Sequence, residues 1–200
     1  MKKHDYSEEE EMLILNLVDV EAATDEFIIE MRYATEDNFV GKKVYPLDVC
    51  IMQKDTLEKL MKSNKEFLEI GLRIKIWDAY RPISIQKIFF DLVPNESFVA
   101  NPYKDQCSVH NSGFAVDLTL VDMDGKEIEM PTSFDDFSEK ASRNSTKMSV
   151  EAVKNLSILT QILTKNGFKT IDSEWWHYND ADAKGFVALD ISFDEILKRI

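Results

Sequence analysis

The chain has 200 residues, 44% of them hydrophobic, and its 24 Lys and Arg against 37 Asp and Glu give a formal net charge of −13. This length is enough for one sizeable core, so we expect a single domain over residues 1–200. Such a negative charge repels phosphate backbones and anionic lipid surfaces, so the sequence predicts neither a nucleic-acid nor a membrane partner.

The amino terminus and the two cysteines indicate where the protein acts. The segment MKKHDYSEEEEMLILNLVDV carries a run of acids where a secretory signal needs an uninterrupted apolar region. No window approaches the roughly 18 apolar residues that a membrane span requires. Cys50 and Cys107 are too few for a disulfide framework, and we expect both to stay reduced. The sequence predicts a cytoplasmic protein and leaves its oligomeric state open, a homo-oligomer included.

The first half of the chain predicts a helix, a strand and a second helix. Residues 54–71, KDTLEKLMKSNKEFLEIG, carry a helical stripe that stops at Gly71 and consists of Leu57, Leu60, Met61, Asn64 and Leu68. LRIKIWDAY then alternates with the period of a half-buried strand, which Pro82 ends. SIQKIFFDLVP predicts the second helix, stopping before Pro94, with an apolar face of Ile85, Ile88, Phe89 and Leu92.

The second half adds strands and one long helix. FAVDLTLVDMDG predicts a strand that ends in a hairpin turn at Asp124-Gly125 and leads into KEIEM. A helix follows from an N-cap at Ser149 to a stop at Asn166-Gly167, with an apolar face of Val150, Val153, Leu156, Leu159 and Leu163. FKTIDSEWWHY and GFVALDI are interpreted as closing strands. This order favours an α+β fold with a central antiparallel sheet backed by helices.

The stretch SVHNSGFAVD places His110 seven residues before Asp117 in a chain with only three histidines. Asp117 lies in a mostly apolar strand, where a carboxylate must be paired or bound to a metal. The odd spacing would put the two side chains on opposite faces of a straight strand, but a turn or bulge at Gly113 brings them to one side. Downstream, EWWHY supplies Glu174 and His177.

Together these residues predict a catalytic zinc site at the sheet. His110, Asp117 and His177 make a His₂Asp ligand set with a fourth position open for water. Glu174, left uncoordinated, is then the general base for a water whose pKa zinc lowers to about 7. A structural role is commoner for a single histidine, by roughly three to one, but two histidines near acids reverse the odds. Cys107 is an extra candidate ligand, although no second Cys and His pair exists for a zinc finger.

The first strand ends in IWDAYRP, which contains Asp78, Arg81 and Pro82. An arginine held at a strand end by the rigid proline can stabilise the oxyanion that forms when water attacks a carbonyl. A surface ion pair between Arg81 and Asp78 explains the same residues at least as well.

Three motifs in chain order resemble the zinc D-alanyl-D-alanine dipeptidases of the VanX type, in peptidase family M15. They are DAYRP, SVHNSGFAVD in the pattern S-x-H-x-x-G-x-A-x-D, and EWWHY in the pattern E-x-x-H. YATEDNFVGKKVY is similar to the dipeptidase branch in particular, and the resemblance runs from about Tyr33 to Tyr178. It implies hydrolysis of D-Ala-D-Ala by metal-activated water, with one Zn²⁺ per chain on His110, Asp117 and His177.

The resemblance also implies roles for five further residues. Glu174 is the general base that later returns a proton to the leaving amine, and Arg81 stabilises the tetrahedral intermediate. Tyr33 and Asp135 hold the free amino group of a small zwitterionic dipeptide, and Ser108 lies near its carboxylate. A small closed site of this kind excludes longer peptides.

One departure from the family pattern and two other functions stay open. The family usually shows a glycine where this chain has Pro131, so Asp136 competes with Asp135 for the substrate amine. A zinc D,D- or L,D-carboxypeptidase acting on muropeptides would keep the zinc ligands but not need the amine binders. A non-enzymatic zinc-containing binding domain would have no use for Glu174. Antibiotic resistance and recycling of wall-derived dipeptide are both possible settings.

Overall fold

A computed structural model describes residues 6–104, 107–183 and 185–200. The first five residues of the segment weighed above as a secretory signal lie outside these ranges, and a single domain over residues 1–200 stays a prediction. The strands are β1 (Leu17–Asp19), β2 (Ile28–Ile29), β3 (Ile51–Gln53), β4 (Leu72–Asp78), β5 (Ala115–Asp122), β6 (Phe168–Thr170) and β7 (His177–Asp180).

Five of these strands form the central sheet, in the order β2-β4-β5-β7-β6. β5 pairs antiparallel with β4 and with β7, and β6 pairs antiparallel with β7. The edge strand β2 runs parallel to β4, and β1 and β3 form a separate antiparallel pair. The prediction of an α+β fold is therefore confirmed, with a central sheet that is antiparallel except at its β2 edge.

The helices are α1 (Glu8–Leu15), α2 (Val20–Ala23), α3 (Lys54–Glu69), α4 (Ile83–Leu92), α5 (Val150–Lys165) and α6 (Phe193–Ile196). α3 contacts β4, α5 contacts β6, and the two helices contact each other, so they back the sheet together. Ser149 caps α5 as predicted, because its hydroxyl accepts the Ala152 N–H at 3.0 Å. Within the described ranges, no helix is long and apolar enough to cross a membrane.

Strand β5 runs through the middle of the core. All its residues from Ala115 to Val121 are buried, which accounts for a sequence rich in Val and Leu on both faces. Asp117 and Thr119 are the polar exceptions, with 3% and 1% exposure. A buried carboxylate in such a strand needs partners from neighbouring strands.

The register of the sheet supplies those partners. Asp117 of β5 is paired across the sheet with His177 of β7 on one side. On the other side it is paired with Asp78 of β4, after a register shift between Ile76 and Asp78. Three polar residues therefore form a row across three adjacent strands.

The predicted apolar faces of the helices are only partly buried. Five members of these faces are exposed by 38% or more, namely Leu68, Ile88, Leu92, Val150 and Val153. Phe67 is buried in α3 instead of Leu68, and Gln86 is buried in α4. Gln86 replaces an apolar side chain there because its amide bridges Arg81 and the Ala100 carbonyl, each at 2.8 Å.

The closing segments are only partly strands. FKTIDSEWWHY contains β6 and β7, but GFVALDI is not a strand, so that prediction is wrong. Its backbone bonds to irregular segments instead: Leu189 N–H donates to the Asn111 carbonyl at 2.8 Å, and the Leu189 carbonyl accepts the Ile83 N–H at 3.2 Å. The hairpin turn at Asp124-Gly125 is present, because the Asp122 N–H donates to the Lys126 carbonyl at 2.9 Å.

Candidate active site

A short 3-10 helix and a glycine turn bring His110 to Asp117. His110 lies in the 3-10 helix Val109–Ser112, which Ser108 caps by accepting the His110 N–H at 3.3 Å. Gly113 ends this helix with φ +79°, in the left-handed region that favours glycine. A Cβ added there would come within 2.8 Å of Leu17 Cδ2, so the chain also approaches β1 closely. The turn predicted at Gly113 is present.

Three ligand atoms converge at the centre of the sheet. His110 Nε2 lies 3.3 Å from Asp117 Oδ1 and 3.1 Å from His177 Nδ1, and His177 Nδ1 lies 3.0 Å from Asp117 Oδ1. All three residues are buried. Ligands at about 2.0–2.2 Å from one tetrahedral ion are themselves separated by about 3.3–3.6 Å, so the observed 3.0–3.3 Å is close to the spacing of a small divalent metal site.

The outer atoms of the two imidazoles fix which nitrogen faces inward. His110 Nδ1 donates to the Ala79 carbonyl at 2.6 Å, which leaves Nε2 with its lone pair toward the cluster. His177 Nε2 pairs with Asn179 Oδ1 at 2.9 Å, which leaves Nδ1 inward in the same way. A carboxylate oxygen and two ring nitrogens would then meet as three acceptors, and a cation between them satisfies all three.

The cluster stabilises the negative charge of Asp117. Burial opposes ionisation of this carboxyl, but His110 and His177 hold its pKa well below the usual range. Burial likewise opposes the charged form of His110, and the neighbouring Asp117 outweighs it and raises the pKa of the imidazole. An ionised carboxylate is the form that a metal ligand requires.

Glu174 stands beside the three-atom cluster without joining it. Its Oε2 lies 3.9 Å from His177 Nδ1, and its side chain keeps 19% exposure at the wall of a cavity. Burial raises the pKa of Glu174 to about 7, although His177 opposes this increase. A carboxyl that takes up and releases protons near neutral pH is suited to general acid–base chemistry.

Arg81 is buried and anchored from two sides. It forms the ion pair with Asp78 that was expected, with Nη2 at 2.5 Å and Nε at 3.1 Å from Oδ2, but Asp78 is fully buried, so the pair is not at the surface. Tyr45 donates to the other oxygen of Asp78 at 2.7 Å. Arg81 Nη1 donates to Gln86 at 2.8 Å. These bonds use three of the five N–H donors and leave two for a ligand.

One cavity of about 260 Å³ joins the remaining candidates to this cluster. Its wall includes Tyr33, Arg81, Ser108, Asp135 and Glu174. The Tyr33 hydroxyl lies 3.0 and 3.1 Å from the two carboxylate oxygens of Asp135. Burial raises the pKa of Asp135 to about 7. The hydrogen bond to Tyr33 thus keeps the Asp135 carboxyl at the cavity wall.

The other two candidates contribute less to the described site. Asp136 is not among the residues that line the cavity. Cys107 does line it, but its thiol lies 3.8 Å from the carbonyls of Pro102 and Lys104, and the metal-compatible cluster found among the described residues does not include it.

Sequence reasoning missed the residues that support the site. Tyr45, Gln86 and Asn179 hold Asp78, Arg81 and His177, respectively. Gln86 and Asn179 lie outside the motifs that carry chemistry, because a supporting hydrogen bond needs only one donor or acceptor brought there by the fold. Tyr45 is the last residue of YATEDNFVGKKVY, but its support of Asp78 was not predicted. The position of Asn179, two residues after His177 and on the same face of a strand, also offered a signal.

Comparison with known proteins gives a consistent family. Residues 14–197 match the model of the family Peptidase_M15, described as D-ala-D-ala dipeptidase. The chain is 33% identical to the D-alanyl-D-alanine dipeptidase of Escherichia coli (strain K12) over 88% of this chain and 91% of that protein. It is 27% identical to the D-alanyl-D-alanine dipeptidase of Enterococcus faecium over 74% of this chain and 83% of that protein.

A solved structure of the vancomycin resistance D,D-pentapeptidase VanY from a VanB-type cassette, in complex with Zn(II), matches more distantly. Its TM-score is 0.44 at 16% identity, covering 69% of this chain and 77% of that one, which is too distant to carry an argument. The family match and the bacterial relatives are sufficient without it. The chain belongs to the D-Ala-D-Ala dipeptidase family, peptidase family M15.

Proposed function

We propose that this protein is a zinc metallopeptidase that hydrolyses the dipeptide D-Ala-D-Ala to two D-alanines. The observation that carries the proposal is the convergence of His110 Nε2, Asp117 Oδ1 and His177 Nδ1 within 3.3 Å of one another, beside an uncoordinated carboxyl. Family membership and the dipeptidases among its relatives support the same reaction.

His110, Asp117 and His177 would hold the metal, with the inward tautomers set by Ala79 and Asn179. Two imidazoles and one carboxylate are a ligand set that suits zinc. A zinc ion held by these residues would supply Lewis acidity toward the peptide carbonyl and would lower the pKa of a bound water to near neutral.

Glu174 and Arg81 complete the chemistry. Glu174 accepts the proton of the attacking water and returns it to the leaving amine, so no covalent bond to the protein forms. Arg81 donates its two remaining N–H groups to the oxyanion, and Asp78 and Gln86 keep the guanidinium in place while charge develops.

The two charged ends of the substrate are bound by Tyr33, Asp135 and Ser108. The Asp135 carboxylate, held by the Tyr33 hydroxyl, binds the free ammonium, and Ser108 lies toward the carboxylate. A cavity of about 260 Å³ is small for a ligand site, which favours a dipeptide over a muropeptide. The cytoplasmic location and a homo-oligomer stay predictions from sequence, and so does the choice between antibiotic resistance and dipeptide recycling.

The experiment compares D-alanine release from D-Ala-D-Ala with release from the same dipeptide acetylated on its amine. The zinc-loaded protein should act on the free dipeptide and be at least about 100-fold slower on the acetylated one, because acetylation removes the charge that Asp135 binds. Equal release from both would support the carboxypeptidase instead.

The control for the reaction itself is the Glu174→Ala variant. It should keep one zinc per chain by elemental analysis and lose turnover by about 100-fold or more, since it keeps the ligands and lacks the base. No release by the wild-type protein from either dipeptide would favour the non-enzymatic binding domain.

A further inference from the structure

Arg143 makes an unusual set of hydrogen bonds next to the site. Its guanidinium donates to the carbonyls of Ile171, Trp175 and His177 at 3.0, 2.6 and 3.0 Å. It also donates to the hydroxyls of Thr160 and Tyr178, each at 3.0 Å. These five bonds use all five N–H donors that an arginine has.

All five acceptors are neutral oxygens, so Arg143 does not act here as one half of an ion pair. The guanidinium is planar, and its donors have fixed directions, so the acceptors must keep fixed relative positions. Its face also lies against the Tyr178 ring, with Cζ 4.4 Å from the centroid. A lysine has three donors on one freely rotating ammonium and cannot reproduce this arrangement.

The bonded carbonyls bracket the segment that carries the base and the last ligand. Ile171 and Trp175 stand on either side of Glu174, and His177 is bonded through its own carbonyl. The backbone of Arg143 adds a further contact, because its N–H donates to the Asp172 carbonyl at 3.0 Å. One side chain therefore fixes the backbone over residues 171–177, most of which lies outside any strand.

We propose that Arg143 is a positioning residue that sets Glu174 and His177 at the correct distance from His110 and Asp117. The proposal deepens the proposed function and rests on it. Misplacement of a reacting group by about 1 Å can cost on the order of 100-fold in rate, so a clamp on this segment affects catalysis as well as stability. Arg143 itself does not line the cavity and acts through the segment that it holds.

Arg73 provides a matched control, because it also clamps backbone carbonyls. It is half-buried and donates to the carbonyls of Asp25, Glu26 and Phe27 at 2.5, 2.7 and 2.9 Å. It lies in β4 outside the cavity wall. Arg73→Lys therefore measures what the loss of such a clamp costs away from the site.

The test compares Arg143→Lys, Arg143→Ala and Arg73→Lys for zinc affinity, kcat, KM and thermal unfolding. Arg143→Lys should weaken zinc binding about 10-fold or more in a chelator competition and lower kcat about 100-fold, with KM nearly unchanged. Millimolar guanidinium should restore kcat to Arg143→Ala by several-fold. Arg73→Lys should lower the unfolding temperature while kcat and zinc affinity stay within about two-fold of wild type.

Equal effects of Arg143→Lys and Arg73→Lys on zinc affinity and kcat, with no rescue by guanidinium, would overturn the proposal and leave Arg143 a stabilising residue. Failure of the proposed function has a different signature, since the wild-type protein would then release no D-alanine. The comparison of zinc affinities still decides the role of Arg143 in that case, because it does not depend on turnover.

Discussion

Asp135 has a positive φ angle, +56°, which no other non-glycine residue in the described ranges has. Left-handed backbone is uncommon for residues with a Cβ, and Asp and Asn tolerate it best. Burial adds a second cost, because it raises the pKa of the carboxyl to about 7 and so disfavours its charge. Backbone strain and a raised carboxyl pKa at one cavity residue are typical of a functional binding site.

The titration of Asp135 gives a prediction about stability. In an unfolded chain the carboxyl ionises near its ordinary pKa of about 3.9. Between about pH 4 and pH 7 the native carboxyl keeps a proton that the unfolded chain has lost, so this residue lowers stability progressively as pH rises. Above about pH 7 the penalty is constant, and below about pH 4 it is absent.

Asp135→Asn should therefore raise the free energy of unfolding by roughly 1–3 kcal/mol at about pH 8 and by almost nothing near pH 4. Asparagine tolerates the same φ and still accepts the Tyr33 hydroxyl. The variant should also raise KM for D-Ala-D-Ala, since it cannot pair with an ammonium. Denaturant unfolding at both pH values checks the first effect. An equal increase in the free energy of unfolding at the two pH values would show that backbone strain at Asp135, and not its charge, is responsible.

Residues with chemistry of their own could be predicted from sequence, but their supports could not. His110, Asp117 and His177 stood out because histidine and buried acid are rare in apolar strands. Asn179 and Gln86 did not, because amides are common and their partners lie at distances along the chain that the fold alone determines. Arg143 could not be predicted either, because its five acceptors belong to three segments that only the fold brings together.

At the scale of elements, β5 carries Asp117 and a glycine lies beyond each of its ends. Gly113 stands before the strand with φ +79°, and Gly125 follows it with φ +82°. A Cβ at Gly113 would meet Leu17 Cδ2 at 2.8 Å and the backbone nitrogen of Gln53 at 3.3 Å. A Cβ at Gly125 would meet only Ile28 Cδ1, at an ordinary 3.6 Å. The two positions share the backbone strain and differ in the clash.

Gly113→Ala should therefore lower the free energy of unfolding more than Gly125→Ala does. The left-handed conformation costs each variant about 1–2 kcal/mol, and the clash adds roughly 1–3 kcal/mol at Gly113. Because the Gly113 N–H donates to the His110 carbonyl at 3.1 Å, Gly113→Ala should also weaken zinc binding, which Gly125→Ala should leave unchanged. Denaturant unfolding and a chelator competition measure both effects. Equal zinc affinities in the two variants would mean that the turn does not position His110.

Element type was easier to predict than the exposure of each face. Periodicity identified α3, β4, α4, β5 and α5, because each has a clear repeat of 3.6 or 2 residues. It failed at Val150 and Leu92, which lie in the first and last turns of their helices, where neighbouring elements do not cover the stripe. It failed at GFVALDI because an extended, apolar segment can bond to irregular backbone as well as to a strand.

At the scale of the whole molecule, the site depends on contacts between distant parts of the chain. Asp117 and His177 are 60 residues apart in sequence and become neighbours only when β5 pairs with β7. An unfolded chain does not hold these residues together, so the zinc proposed at this cluster would bind the native state selectively and stabilise it. His110, Asp117 and His177 are all buried, so loss of a metal bound by them would affect global stability.

Removal of zinc should lower the unfolding temperature by roughly 5–10 °C, because free zinc at about 100 times its dissociation constant adds about 2.7 kcal/mol and each kcal/mol shifts a chain of this size by about 2–4 °C. Differential scanning calorimetry with zinc and with chelator measures the shift. His110→Ala should bind little zinc and show almost no difference between the two conditions. A full shift in that variant would place the stabilising zinc at other residues, because the loss of one of three ligands cannot leave the affinity of this cluster unchanged.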